Sequence, residues 1–491
     1  MALFRNLFVW SVLAFLLPAA EAADADDCDL PQTRGVVFLP HTTAPTNLLP
    51  PLEKGQQLPR DCEFYRWAWQ TFLFSTSPSR QSGYQASKAA FLGYPSFEDV
   101  FAKTPAATFP HGKPGMLALG PRTLFFSTHP HDAVAAIEDI RQANVNSLLV
   151  DQHGNAVFYA LHMNPTYVHF VKDYGLNTLD GLNAAAAQLE FRPGSVEFKS
   201  AWAIAENPKD WKDYITARAV VPIFKVQDGK IVPDGERTRT VTVAMIALHV
   251  VGVIEGHPEF IWATFEHVHH KSSTEWIPDN APVAVDNPDV KAVSVNLELP
   301  KYLLYPNENG AIGPATPASG ADMRVKDSGL TLDAKTQKFL PLTPVYRMFP
   351  SSQATDKGAT PVVDPEISSL NRHVREFFES HKGSESDVRS NYQLVGAVWL
   401  NTPRGSEDGS IQPDFGPARS FSNVPGRLPV LGGEDHLSST AMESFTQSDD
   451  NAPNCFSCHT TEAFGQMKGS RLNVSHMLSR FFTLATQPPA H

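Results

Sequence analysis

The chain has 491 residues, 42% of them hydrophobic and 19% charged, an inventory that suits one large globular domain or two to three modules and excludes disorder, collagen and coiled coil. Forty basic against 52 acidic side chains leave a formal charge of −12, which repels a phosphate backbone and argues against nucleic acid as a partner. Forty prolines and 30 glycines beside 31 phenylalanines point to a core wrapped by long irregular connections, and so to an α+β body.

Residues 1–22 have the layout of a secretory signal: Arg5 as the positive flank, an apolar run from Leu7 to Leu17 closed by Pro18, and the small-x-small site Ala20-Glu21-Ala22. The run is shorter than the ~20 residues a spanning helix needs. The expectation is a cleaved leader, a mature chain starting at Ala23 with no membrane span, and a periplasmic or secreted bacterial location. Residues 23–60 mix Pro, Thr and Leu without period and read as an extended arm. Phe64, Trp67, Ala68, Thr71 and Phe72 then recur at spacings of three and four, which predicts an amphipathic helix lying against the main body.

Over 147–164 two alternating runs flank Asp151-Gln152-His153-Gly154-Asn155, the turn chemistry of a hairpin. Richness in Val, Ile, Phe and Trp predicts strands at Ser195–Ala205, Tyr214–Phe224, Thr240–Ile254, Phe260–His269 and Gln393–Leu400. Residues 271–362 are rich in Pro, Asn and Gly and read as a long surface excursion. Asp364-Pro365 supplies an N-cap and a first-turn proline, and Ile367, Leu370, Val374 and Phe377 the apolar stripe of a second helix. A short helix is predicted at Leu437–Gln447. The fold class is therefore α+β: a β-rich central body over 23–400 with flanking helices and long Pro-rich loops, and a mostly helical C-terminal region over 401–491.

The four cysteines fall into two pairs, Cys28 with Cys62 and Cys455 with Cys458. Cys455-Phe456-Ser457-Cys458-His459 has the C-x-x-C-H spacing of covalent haem attachment, in which two thiols add across the vinyl groups and the adjacent histidine ligates the iron. A redox dithiol, half of a zinc site and a structural disulfide are the competing readings. Zinc lacks a second pair, and a thioredoxin-like motif wants a βαβ context that Ser448-Asp449-Asp450-Asn451 does not provide. One covalent haem c is thus expected, with His459 as proximal ligand. Attachment of this kind takes place outside the bacterial cytoplasm, in agreement with the leader, and an oxidising compartment favours a disulfide between Cys28 and Cys62. Too little chain follows His459 to complete a small cytochrome domain, so the haem must pack on upstream residues. Met442, Met467, His476 and Met477 are the candidate second ligands.

The predicted strands also carry polar groups that cost several kcal/mol unless they are partnered or line a site. These are Glu197, Lys199, His249, Glu266 and His267, with His269 and His270 beyond them. Either they satisfy one another, or they form a substrate pocket near the haem, or His267 and His269 hold a metal from one strand face.

Several segments resemble a little-characterised family of exported bacterial proteins that carry one C-terminal haem-attachment motif. They are Trp67-Ala68-Trp69-Gln70-Thr71-Phe72, Leu149-Val150-Asp151-Gln152-His153-Gly154-Asn155, Gly194-Ser195-Val196-Glu197-Phe198-Lys199-Ser200-Ala201-Trp202, Leu248-His249-Val250-Val251, Trp262-Ala263-Thr264-Phe265-Glu266-His267, Leu394-Val395-Gly396 and Thr440-Ala441-Met442-Glu443-Ser444-Phe445. The resemblance implies a c-type cytochrome without an assigned reaction. It favours Met442 as the distal ligand, and it leaves Glu197, Lys199, His249, Glu266 and His267 as site candidates, because His269 and His270 depart from the pattern.

Three function classes follow. The first is an electron carrier working with a redox partner protein or a small-molecule electron donor or acceptor. The second is a haem-dependent oxidoreductase with a substrate pocket in the β-rich body, and the third a haem-based ligand-binding or sensor module. No glycine-rich phosphate loop follows a strand, so flavin and nicotinamide are not expected.

Overall fold

The computed structural model describes residues 61–77, 89–101, 148–207, 211–255, 257–272, 330–343, 365–380, 387–401, 430–434, 437–444, 454–461 and 466–486, with Cys28, Leu304, Ala463 and short pieces at 117–118, 275–277, 352–353 and 362–363. The leader expected over 1–22, the arm over 23–60 apart from Cys28, most of the 271–362 excursion and the Asp364 cap lie outside the described residues.

One mixed sheet organises the molecule. Its strands are β1 (Leu117–Ala118), β2 (Phe158–Met163), β3 (Val196–Ile204), β4 (Thr216–Gln227), β5 (Lys230–Ile254), β6 (His257–His267), β7 (Tyr392–Asn401) and β8 (Val430–Gly433). They run in the order β1-β4-β5-β6-β7-β8, and β3 also pairs with β5 and carries β2. All pairs are antiparallel except β1 with β4. The α+β class and the β-rich body expected from the sequence are those of the structure.

β5 is ten residues longer than the strand predicted at Thr240–Ile254. Its first half pairs with β4 through the two-residue turn Asp228-Gly229, both at positive φ (51° and 71°), which closes Gln227 onto Lys230. Its second half lies between β3 and β6.

Two helices cover one sheet face: α1 (Asp61–Thr76) and a later helix at Pro365–Ser380. α1 is not amphipathic in the ordinary sense. Phe64, Tyr65, Trp67, Ala68, Trp69 and Phe72 are all fully buried, because the helix is clamped between the sheet and the second helix. Phe64 stacks on Trp399 and Phe72 on Phe265, at 4.1 and 4.4 Å between centroids. Trp69 donates its indole N–H to Asn371 on the second helix (2.9 Å), and Asn371 bonds the backbone of Leu394 in β7. Gly252 in β5 permits this approach: a Cβ there would come 2.8 Å from the Trp67 ring. Cys28 is joined to Cys62 at the start of α1 by a disulfide.

The opposite face is covered by α2 (Phe97–Phe101), α3 (Pro165–Asp173), α4 (Leu179–Ala184) and the C-terminal segment. That segment contains 3-10 turns at Cys455–Ser457 and Arg471–Val474 and a last helix, His476–Thr486. The helix predicted at Leu437–Gln447 is instead, over its described residues 437–444, a single turn at 440–444. The reason is local. The Ser439 hydroxyl accepts from the N–H groups of Ala441 and Met442, and Glu443 turns back to accept from the Ser439 N–H, so the turn caps itself.

Candidate functional site beneath the C-terminal segment

Strand register decides what the second face presents. Lys199, His249 and Thr264 are cross-strand neighbours in one row; Glu197, Val251 and Trp262 form the next row on one side, and Ala201, Ala247 and Glu266 the next on the other. A polar belt therefore crosses the middle of the face. Beyond it on one side Val251, Trp262, Val395 and Val398 pack with Phe456, Met467 and Met477. On the other side Ala201, Ala203 and Ala247 pack with Tyr159, Trp211, Tyr214 and Met442.

The turn at 439–443 closes over the belt. The Glu266 carboxylate accepts from the Ser439 hydroxyl, the Thr440 N–H and the Thr440 hydroxyl at 2.8–3.0 Å, which anchors the turn to β6. Glu443 reaches His249 Nε2 at 3.0 Å and lies 3.8 Å from Lys199 Nζ. With Nε2–H given to Glu443, His249 Nδ1 accepts from the Thr264 hydroxyl at 3.0 Å. Lys199, His249 and Glu443 keep their tips partly exposed.

Glu197 is the buried carboxyl of the belt's near edge. Its Oε2 accepts from the Ser475 hydroxyl at 2.7 Å, and the Ser475 oxygen lies 2.8 Å from the Tyr167 hydroxyl. Since Ser475 gives its proton to Glu197, Tyr167 is the donor in the second bond. Burial pushes the Glu197 carboxyl up to about 7, against smaller lowering effects of the Ser475 bond and the Lys199 charge.

The cysteine motif lies above this belt. Asn454 caps its turn by accepting from the Phe456 N–H (3.1 Å), and Ser457 reciprocates to the Asn454 N–H. The N–H groups of Cys458 and His459 both donate to the Cys455 carbonyl. Cys455 is half-buried, Cys458 buried, and neither is in a disulfide. Burial, then the Glu443 carboxylate and Cys458, push the Cys455 thiol up, so it is held as a thiol rather than a thiolate.

His459 has its orientation set from three directions. Its Nδ1 is 2.8 Å from the Val474 carbonyl, which can only accept, so Nδ1 carries the proton and Nε2 keeps its lone pair. The Trp262 ring lies 3.9 Å away and the His476 ring 3.7 Å, the latter nearly parallel. Burial holds the imidazole well below its usual pKa, with His476, Lys199 and His249 adding to the effect, and so keeps it neutral. His476 in turn donates Nε2–H to the Cys458 carbonyl.

This donor set fits haem c. Two thiols outside any disulfide sit three residues apart on one turn, and the adjacent neutral imidazole has its proton fixed on Nδ1, so that Nε2 is the nitrogen suited to a metal. Among the described residues no group of three or more His, Cys, Asp and Glu side chains stands close enough to hold a metal ion by itself.

Of the five polar residues singled out from the sequence, four share the second face: Glu197, Lys199, His249 and Glu266. His267 does not. It alternates to the other side of β6, stacks on Tyr214 at 3.5 Å and donates Nε2–H to the Asp213 carbonyl, so it is a core histidine and not a member of the belt. The side chain of His269, the other half of the metal pair expected with His267, lies outside the described residues. Met442 is fully buried in the cluster of Tyr159 and Trp211, apart from Phe456, whereas Met467 and Met477 share the Phe456 cluster. The sequence reading missed Trp262, Thr264 and Glu443 as site members, although all three stand inside the islands of resemblance, and it missed Tyr167, Val474 and Ser475, which carry no local signal.

No family model matches the chain, and neither does any curated protein or solved structure. No helix among the described residues is long and apolar enough to cross a membrane.

Proposed function

We propose that the chain is an exported monohaem c-type cytochrome that transfers electrons between a redox partner protein or small-molecule donor and an acceptor. The observation that carries this reading is the commitment of His459 Nδ1–H to the Val474 carbonyl on a turn that also holds two thiols outside any disulfide. Bound haem would supply a one-electron couple at this place. Cys455 and Cys458 would hold it covalently and His459 would ligate its iron. Trp262, Val474 and His476 fix the imidazole before any ligation. The apolar cluster of Phe456, Leu472, Met477 and Phe481 keeps water from the motif. The distal position, expected at Met442 from the sequence, is better supported by packing at Met467 or Met477.

A haem-dependent oxidoreductase is the second reading, favoured by one feature. The Lys199, Glu443, His249 and Thr264 network lies close enough for its charges to act on Cys455 and His459, and it keeps partly exposed acid–base groups next to the motif.

The test is the visible spectrum of protein co-expressed with haem-maturation machinery, recorded oxidised, reduced, and reduced under carbon monoxide. Covalent haem that survives denaturation supports the assignment, and its persistence in the Cys455→Ser, Cys458→Ser double variant would refute it. A reduced spectrum unmoved by carbon monoxide supports the carrier, and one that shifts supports the oxidoreductase.

A further inference from the structure

Glu197 is a fully enclosed carboxyl on an otherwise apolar row of the sheet, and its only hydrogen-bond partner among the described contacts belongs to the segment that holds His459. Ser475, which donates to Glu197, is the residue after Val474, whose carbonyl holds His459 Nδ1–H, and the residue before His476, whose ring lies on His459. Across the strands, Glu197 shares its row with Trp262, the other ring against His459. A change of charge at the position His459 addresses is therefore felt by Glu197 through low-dielectric packing rather than through water.

We infer that Glu197 takes up a proton when an electron arrives at the centre held by His459 and releases it when the electron leaves. The inference rests on the haem reading above. The balance is one electron from the donor and one proton from solvent, the proton forming an O–H bond on the Glu197 carboxylate; both depart on oxidation, and no other bond is made or broken. An added electron lowers the positive charge nearby and so favours the neutral acid, which is the sign the inference requires.

The titratable and charged groups around Glu197 fit this role. Lys199 is two residues along the same strand face, with its tip partly exposed, and gives a route to solvent. Tyr167 comes from α3 and donates toward Ser475. His459 and His476 come from the C-terminal segment. His249 and Glu443 stand one row further on and are paired with each other. From β2 the register partner is Met163, which does not titrate. Among the described residues Glu197 is thus the buried carboxyl of this set whose hydrogen bond is to a neutral hydroxyl, with the Lys199 charge acting on it from two residues along the strand. Burial also places its titration near neutrality.

The test is potentiometry of the haem-loaded protein from pH 5 to pH 9. The expected midpoint potential falls as pH rises through the neutral range, by as much as tenfold in the reduction equilibrium per pH unit, about 59 mV for one electron. In Glu197→Gln that slope is lost. In Ser475→Ala, which removes the bond that favours the carboxylate, the sloping region moves to higher pH. Redox-difference infrared spectra of the unaltered protein add a readout that needs no folded Glu197 variant: a protonated-carboxyl signal is gained on reduction, and it shifts in Ser475→Ala. A flat wild-type profile, a slope that persists in Glu197→Gln, or the absence of that infrared signal would overturn the inference while leaving the cytochrome reading in place. Protein that takes up no covalent haem fails the cytochrome reading itself, and this coupling falls with it.

Discussion

The indole of Trp262 lies 3.9 Å, centroid to centroid, from the imidazole of His459, two side chains separated by almost two hundred residues of sequence. β6 holds the indole in place: its N–H reaches the Glu259 carbonyl, and the preceding Phe260, at φ 69°, packs edge-on against it. A bulky residue in the left-handed region is uncommon and costs on the order of 1–3 kcal/mol, so the sheet supports strain at the strand that positions the motif's histidine.

Replacing that indole tests whether it positions His459 or only fills space. Trp262→Ala is expected to cost about 3–5 kcal/mol in denaturant unfolding, as for other buried aromatic truncations, and to lower the yield of covalent haem. Trp262→Phe keeps a ring against His459 and is expected to recover the yield even though part of the stability stays lost. Equal yields in both variants would reduce Trp262 to a packing residue.

Glu197 makes a separate prediction about stability against pH. Its carboxyl is raised from 4.5 to about 7 in the folded chain. The folded state then binds more protons than the unfolded chain between those values, so the stability linked to this group is full below about pH 4.5 and is lost as pH rises through about 7. The span corresponds to roughly 3 kcal/mol. Glu197→Gln removes the linkage, so the variant's stability relative to wild type is expected to improve by about that amount between pH 5 and pH 8.5. A difference that stays constant in urea unfolding across this range would show that Glu197 does not titrate there.

The polar belt was legible as a list of residue types in strands, but its membership is a matter of register. Alternation alone puts Glu266 and His267 on opposite faces of β6, and that separates the anchor of the 439–443 turn from a histidine stacked on Tyr214. The strands themselves were visible through their Val, Ile, Phe and Trp content. The first half of β5 was not, because Pro233 and Gly235 mask it; the Asp228-Gly229 pair was the signal that announces the hairpin. The helix expected at Leu437–Gln447 failed because Ser439 and Glu443 spend their side chains on the turn's own backbone. The role of Ser475 and Val474 rests on contacts between distant segments, which no local pattern carries.

Glu266 is expected to matter through the turn rather than through chemistry. Its carboxylate receives three donors from Ser439 and Thr440, and Glu266→Ala leaves them in a buried place without that acceptor, at roughly 1–3 kcal/mol for each unsatisfied group. Unfolding experiments should show a loss of at least about 2 kcal/mol for the alanine variant and a smaller one for Glu266→Gln, which keeps an acceptor oxygen. Because the same turn delivers Glu443 to His249, hydrogen exchange at 439–443 should rise in the alanine variant; protection equal to wild type would contradict the anchoring role.

The distal ligand separates packing from sequence resemblance. Met442 is held in its own cluster, and the Tyr159 hydroxyl pins the neighbouring Ala441 carbonyl at 2.6 Å. To reach the space before His459, its sulfur would have to leave that cluster and take the turn with it. Met467 and Met477 already share the Phe456 cluster, and Met477 follows His476 on the last helix. Met442→Ala is therefore expected to lose about 2–5 kcal/mol of stability with the low-spin reduced spectrum unchanged. One of Met467→Ala and Met477→Ala should instead open the sixth position, turn the spectrum high-spin and admit carbon monoxide. A low-spin spectrum that survives all three substitutions would exclude methionine, and a high-spin spectrum in Met442→Ala alone would restore the ligand that the resemblance favours and require the turn to rearrange on haem attachment.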